Sequence, residues 1–215
     1  MGRSVFVRAG QLSALLGAAL AIACGAQDAP SAPEPPDEPS AQVLDGPHPI
    51  AQLDLGELGE VQIQLLPEIA PNTVAGFAEL ANEGFYDGTT FHRVIPGFMI
   101  QGGDPLTRNA DPRDDGKGGS PDIIPDDYSD LPMLRGSVAM ANRGSPQSAQ
   151  GQFFIVHADS RKLDGKYTIF GRVLEGIDVI DAVTDLEIDT YGRFGPPDRP
   201  YPVDARIASL RVAGP

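Results

Sequence analysis

From Ile50 onward the chain alternates apolar and polar residues in short runs, and IAQLDL followed by EVQIQLL sets the pattern. A period of two sends successive side chains to opposite faces, so each run is a strand with one face to bury and one to wet. Gly56 and Gly59 between the two runs read as a hairpin turn. With 25 Gly and 21 Pro in 215 residues, turns should join many short strands rather than long helices. Further strands are expected at 91–95, 98–102, 136–141, 152–156, 167–172 and 204–213. Two stretches break the pattern. Pro71, Val74, Phe77, Ala78, Leu80 and Ala81 recur at helical spacing, with proline early, where a missing N–H costs least, and Gly84 closing the run. A second short helix is expected within 175–183. The sum is a mainly β domain over 50–215, eight strands and two helices making one compact barrel.

The first residues obey other rules. Arg3 and Arg8 precede an apolar run from Leu12 to Ala23, too short to span a bilayer but right for the core of an export signal. The run ends at Cys24, the only cysteine, and Leu20-Ala21-Ile22-Ala23-Cys24 resembles the bacterial lipoprotein processing box, with Ala21 where leucine is commoner. Residues 1–23 are therefore expected to be a signal peptide and Cys24 the lipidation site; a lone cysteine also excludes an internal disulfide. Residues 24–49 carry Pro30, Pro33, Pro35, Pro36, Pro39, Pro47 and Pro49 among small and acidic residues. Such a segment has too little to bury to offset the entropy of ordering and reads as an extended tether. The expected location is the bacterial envelope, facing the periplasm. Gly25 supplies no acidic inner-membrane retention signal, which favours the outer membrane. The membrane is met only through the lipid anchor.

Composition removes several function classes. Sixteen Lys+Arg against 30 Asp+Glu give a formal charge of -14, and no stretch gathers the basic residues that a phosphate backbone requires, so nucleic acid is not an expected partner. His48, His92 and His157 are scattered, without HExxH or Cys-His spacing, and no metal is implied. No G-x-S-x-G elbow exists and the cysteine lies in the export segment, leaving nucleophilic catalysis without a candidate. The run GKGG at 116–119 lacks P-loop spacing and reads as the rim of a pocket, within a long 104–135 connection of the kind that usually serves function. No cofactor is expected.

The run FHRVIPGFMIQGGD, from Phe91 to Asp104, is the strongest candidate site. Pro96-Gly97 marks a turn between two short strands, and alternation puts Met99 and Gln101 on one face with Ile100 on the other. A polar pair beside large apolar groups is the pattern of a binding pocket. Behind it stand GSVAMAN at 136–142, QFFIV at 152–156 and LDGKYTIFGRVLEGIDVID at 163–181. In order and spacing the four segments resemble the cyclophilin-type peptidyl-prolyl cis-trans isomerases, over about residues 50–213. That resemblance implies a closed eight-stranded antiparallel β-barrel capped by two α-helices, with an active site on its outer face.

It also implies a chemistry that these residues can perform. An amide resists rotation by about 18–20 kcal/mol, whereas the two X-Pro isomers are nearly equal in energy, so only the barrier needs lowering. The twisted imide nitrogen regains a lone pair, and a donor aimed there binds the transition state in preference to either ground state. By the family motif that donor is Arg93, whose guanidinium stays charged and offers fixed donors. Gln101 and Phe98 complete the implied catalytic set. Phe98, Met99, Phe154 and Leu163 would grip the proline ring, Gln101 and the backbone around Ala141 and Asn142 would hydrogen-bond the substrate, and Tyr167 and Gly116 would line the edge. Phe153 and Phe154, as neighbours on a strand, must face opposite ways, and the family pattern gives Phe154 to the pocket.

Three positions depart from the family pattern. Lys162 stands where well-known eukaryotic members place a tryptophan that contacts cyclosporin, so weak drug affinity is expected. Tyr167 replaces a frequent histidine, so the rate should vary little near pH 6.5. Arg143 replaces a small residue and bears on which side chains beside proline are accepted. The expected partners are proline-containing peptides and unfolded or folding exported proteins, met as a monomer. The alternative is a catalytically weak proline-binding module or chaperone, which would have no need of Arg93.

Overall fold

The computed structural model describes residues 47–109, 111–192, 197–200 and 205–214. The expected signal peptide, Cys24 and the tether up to residue 46 lie outside the described residues. In chain order the elements are β1 (Ile50–Asp54), β2 (Glu60–Leu65), α1 (Pro71–Asn82), β3 (Arg93–Ile95), β4 (Met99–Gly102), β5 (Ser137–Met140), β6 (Phe153–Val156), β7 (Ile169–Glu175), α2 (Ile177–Thr184), β8 (Ile188–Asp189), β9 (Arg199–Pro200) and β10 (Ser209–Ala213). Eight strands form one antiparallel sheet in the order β10-β1-β2-β7-β5-β6-β4-β3, and β8 pairs separately with β9.

The expected closed barrel is not what forms. The sheet is an open half-barrel with β3 and β10 as its two edges. β3 is only three residues long, and its Val94 N–H donates to the Asp198 carbonyl instead of to β10 (2.6 Å). Irregular chain bridges the gap: Phe91 N–H donates to Ala205 O (2.9 Å) and Ile207 N–H to Thr89 O (2.8 Å), both just before the strands proper. The expected strand at 204–213 accordingly shortens to Ser209–Ala213, and the β8/β9 hairpin is an addition that periodicity did not reveal.

The inward faces of the strands and both helices share one core. Phe77 of α1 is fully buried, with ring centroids 5.3, 5.6 and 4.7 Å from Tyr86, Phe153 and Phe170. α1 begins at Pro71 behind Ala70, which has no capping side chain. Asp127 supplies the cap from a distance, accepting from Thr73 N–H and Asn72 Nδ2 at 2.8 Å each. Gly176, ahead of α2, is glycine for two reasons: its φ is +84°, and a Cβ there would stand 2.3 Å from Glu60 O.

Alternation divides β4 and β6 as expected. Ile100 and Phe153 face the core, whereas Met99 and Phe154 join a second apolar cluster on the outer face with Met133, Ala139, Val156 and Ile169. That outer cluster is the foundation of the site.

Candidate active site

Strand register assembles the site. β3 pairs with β4 so that Arg93 lies opposite Gln101, and β4 pairs with β6 so that Gln101 lies opposite Phe154. Directly opposed residues on one face have Cβ atoms about 4.5–5.5 Å apart, so arginine, glutamine and phenylalanine form one row across three strands. The first pairing follows from the tight Pro96-Gly97 turn, where Gly97 takes φ +75°.

The row opens into a cavity of about 90 Å³ lined by Arg93, Phe98, Met99, Gln101, Ala141, Asn142, Phe154, Leu163 and Tyr167. Met99 and Phe154 are buried and make its floor. Tyr167 stands edge-on to Phe154 at 5.2 Å, and the exposed Lys162 places Nζ 4.3 Å from the centre of the Phe98 ring. Arg93 is the one charged residue among these walls, and its guanidinium has no hydrogen-bond or ion-pair partner among the described residues. A half-buried cation with no partner among the described residues, at the lip of an apolar slot, is a donor available to something that enters.

Gln101 is held by a relay. Gln152 directs Nε2 at two backbone carbonyls, Gly116 O (3.1 Å) and Gly118 O (2.8 Å), which can only accept. Its Oε1 must therefore face Gln101, whose Nε2 donates to it at 2.9 Å. Gln101 is left with its own carbonyl and a second N–H for the pocket. Gln152 escaped the sequence reading, although alternation through 152, 154 and 156 puts it on the face of Phe154.

Nine of the ten expected pocket residues meet in this cavity. The exception is Gly116, which lines an adjoining hollow of about 100 Å³ with Gly118, Arg143, Ser148, Gln150 and Gln152, because its loop is drawn towards Gln152. Gln101, Ala141 and Asn142 border both spaces. Arg143 is exposed on the rim, donating through Nε to Gln150 Oε1 (2.6 Å) and through Nη2 to Lys117 O (3.1 Å). His92 is buried behind Arg93, and burial pushes its pKa down to about 4, Asp104 opposing while Arg199 and Arg93 add to the fall. It is a neutral structural ring.

The sequence profile described as cyclophilin type peptidyl-prolyl cis-trans isomerase/CLD matches residues 50–212, which contain every residue of this pocket. The chain belongs to the cyclophilin family. It is an enzyme of that class, a peptidyl-prolyl cis-trans isomerase. Among its relatives, a Brucella suis protein named a probable peptidyl-prolyl cis-trans isomerase is 38% identical over 194 residues, covering 87% of this chain and 92% of its own. A peptidyl-prolyl cis-trans isomerase of Acinetobacter baylyi is 36% identical over 163 residues, covering 73% and 84%. A crystal structure of a Cryptosporidium parvum cyclophilin type isomerase in the presence of the dipeptide Ala-Pro superposes with a TM-score of 0.66 at 26% identity, covering 77% of this cyclophilin and 99% of its own chain.

Proposed function

We propose that this cyclophilin binds X-Pro segments of exported proteins with the proline ring in the 90 Å³ cavity, and that Arg93 donates to the imide nitrogen as the bond twists. The observation that carries the reading is the Arg93 guanidinium, without a partner among the described residues, beside an apolar slot. Phe98, Met99, Phe154 and Leu163 grip the ring, Tyr167 closes one end, and Gln101 with the backbone at Ala141 and Asn142 holds the peptide while the acyl half turns. The Ala-Pro dipeptide present with the Cryptosporidium relative supports a proline-containing ligand. No proton is transferred, so the buried, neutral His92 has no part in the step.

Isomerisation between nearly isoenergetic states needs no nucleotide, which suits work outside the cytoplasm. Export rests on the apolar run Leu12–Ala23 and anchorage on Cys24, with residues 24–49 as the tether between lipid and enzyme and the outer membrane as its site.

A protease-coupled assay on a short X-Pro peptide tests the chemistry. Arg93→Ala should lose roughly a thousandfold in kcat/KM, equivalent to about 4 kcal/mol of transition-state stabilisation. Equal rates for wild type and Arg93→Ala would sink the role of Arg93, and a wild-type rate equal to buffer would leave only a proline-binding module.

A further inference from the structure

The β8/β9 hairpin reaches both halves of the catalytic row. Asp198, immediately before β9, accepts through its carbonyl from the N–H of Val94 (2.6 Å), the residue after Arg93 on edge strand β3. Arg199, the next residue, turns its guanidinium inward and forms an ion pair with Asp115, their side chains only 9% and 1% exposed. Asp115 directly precedes Gly116. The carbonyls of Gly116 and Gly118 fix Gln152, and Gln152 fixes Gln101. Asp104 secures the far end of the same loop, accepting from Gly118 N–H at 3.0 Å.

A buried ion pair is a poor way to stabilise a fold, because stripping water from two charges offsets most of their attraction, and apolar residues of like volume often serve as well. In some proteins such a pair instead fixes register. Each charge has one acceptable neighbour, so the 115–118 loop can sit at only one height against β9. We propose that Asp198-Arg199 is a positioning clamp for the isomerase: Arg199 sets Gln101 through Asp115 and the Gly116–Gln152 relay, and the Asp198 carbonyl sets the strand edge that carries Arg93. The proposal rests on the reading of Gln101 and Arg93 as groups that contact substrate. Arg199 itself touches none.

The test uses the full chain with Arg199→Leu, Asp115→Leu, the double Leu variant and Arg199→Lys. Each single leucine strands a buried charge and should lower the melting temperature; the double variant should recover it. Activity should not recover with it. With the loop height no longer set, the double variant should lose about tenfold to a hundredfold in kcat/KM, mostly in kcat, a scale typical of misplacement near 1 Å. The side-chain amide resonances of Gln101 should shift away from their wild-type positions in the same variant. In a Gln101→Ala background the double substitution should cost much less, because its path to the substrate runs mainly through that side chain.

Wild-type kcat/KM and unmoved Gln101 resonances in the folded double variant would overturn the clamp. If that variant does not fold, Arg199→Lys decides by the same two readouts, since lysine keeps the charge but loses the guanidinium fork. A Gln101→Ala single variant with wild-type kinetics would instead overturn the role of Gln101, and the clamp with it.

Discussion

Acid should loosen this domain through His92, and the size of the effect follows from where the imidazole sits. The ring is buried beside Gly116, with Asp104, Arg199 and Arg93 around it, and its pKa is pushed down to about 4. In the unfolded chain it returns to about 6.5. Between those values the unfolded state binds more protons than the native one, so stability falls as pH falls through the window. Linkage with these two values gives a loss of about 2 kcal/mol between pH 7.5 and 5, and about 3 kcal/mol by pH 4. Asp87, Asp111 and Asp164 are held below the usual carboxylate range, chiefly by hydrogen bonds from Arg211, Arg113 and the Met133 N–H respectively. Their contribution is present above the ordinary carboxylate range and is lost only as pH falls below about 4, so the interval from 6.5 to 5 isolates the histidine from them. Urea unfolding at pH 7.5 and 5 would measure it. At a slope near 2 kcal/mol/M the wild-type midpoint should fall about 1 M further than those of His92→Phe and His92→Gln, neither of which can titrate. An equal drop in all three proteins would refute the argument, whatever the absolute stability of the variants.

The catalytic rate should respond differently. With Tyr167 at the pocket edge and no imidazole among its walls, kcat/KM should stay flat between pH 6 and 7, and a titration centred near 6.5 would contradict the mechanism. Arg93→Ala should leave the melting temperature within a few degrees of wild type, because no described residue loses a partner; a large fall would show that Arg93 is structural. Asp127→Ala uncaps α1 from outside the helix and should cost about 1 kcal/mol, lowering the melting temperature by roughly 2–4 °C. Lys162→Trp exchanges the cation over Phe98 for an indole and should tighten cyclosporin binding measured by calorimetry; unchanged binding would separate drug affinity from this position. Finally, Cys24→Ser should move the protein out of the membrane fraction and alter its mass, and no change in either would end the lipid-anchor reading.

Much of the site was readable because its logic is local. The Pro96-Gly97 turn joins adjacent strands, so it sets the pairing of Arg93 with Gln101 within a few residues. Alternation then decides which of Met99 and Ile100, or of Phe153 and Phe154, faces out, and the structure agrees on both. Gln152 lay within reach of the same rule. It went unnoticed because its importance comes from its partners, two carbonyls on a loop more than thirty residues earlier in the chain. That Gly116 lines the adjoining hollow has the same origin: the loop's path depends on what it hydrogen-bonds.

Periodicity and turn chemistry, then, already dictate the strands β1 to β7, both helices and which residues of the Phe91–Asp104 run share a face, since each depends on neighbours a few bonds away; the rest of the pocket came from the family resemblance. Tertiary structure alone decides that β4 lies between β3 and β6, that the sheet stops short of closing, that Asp127 caps α1, and that Arg199 meets Asp115. These choices join segments far apart in the chain, and their energies come from burial and from polar groups that must find partners once water is gone. No short window of sequence contains both sides of such a bargain.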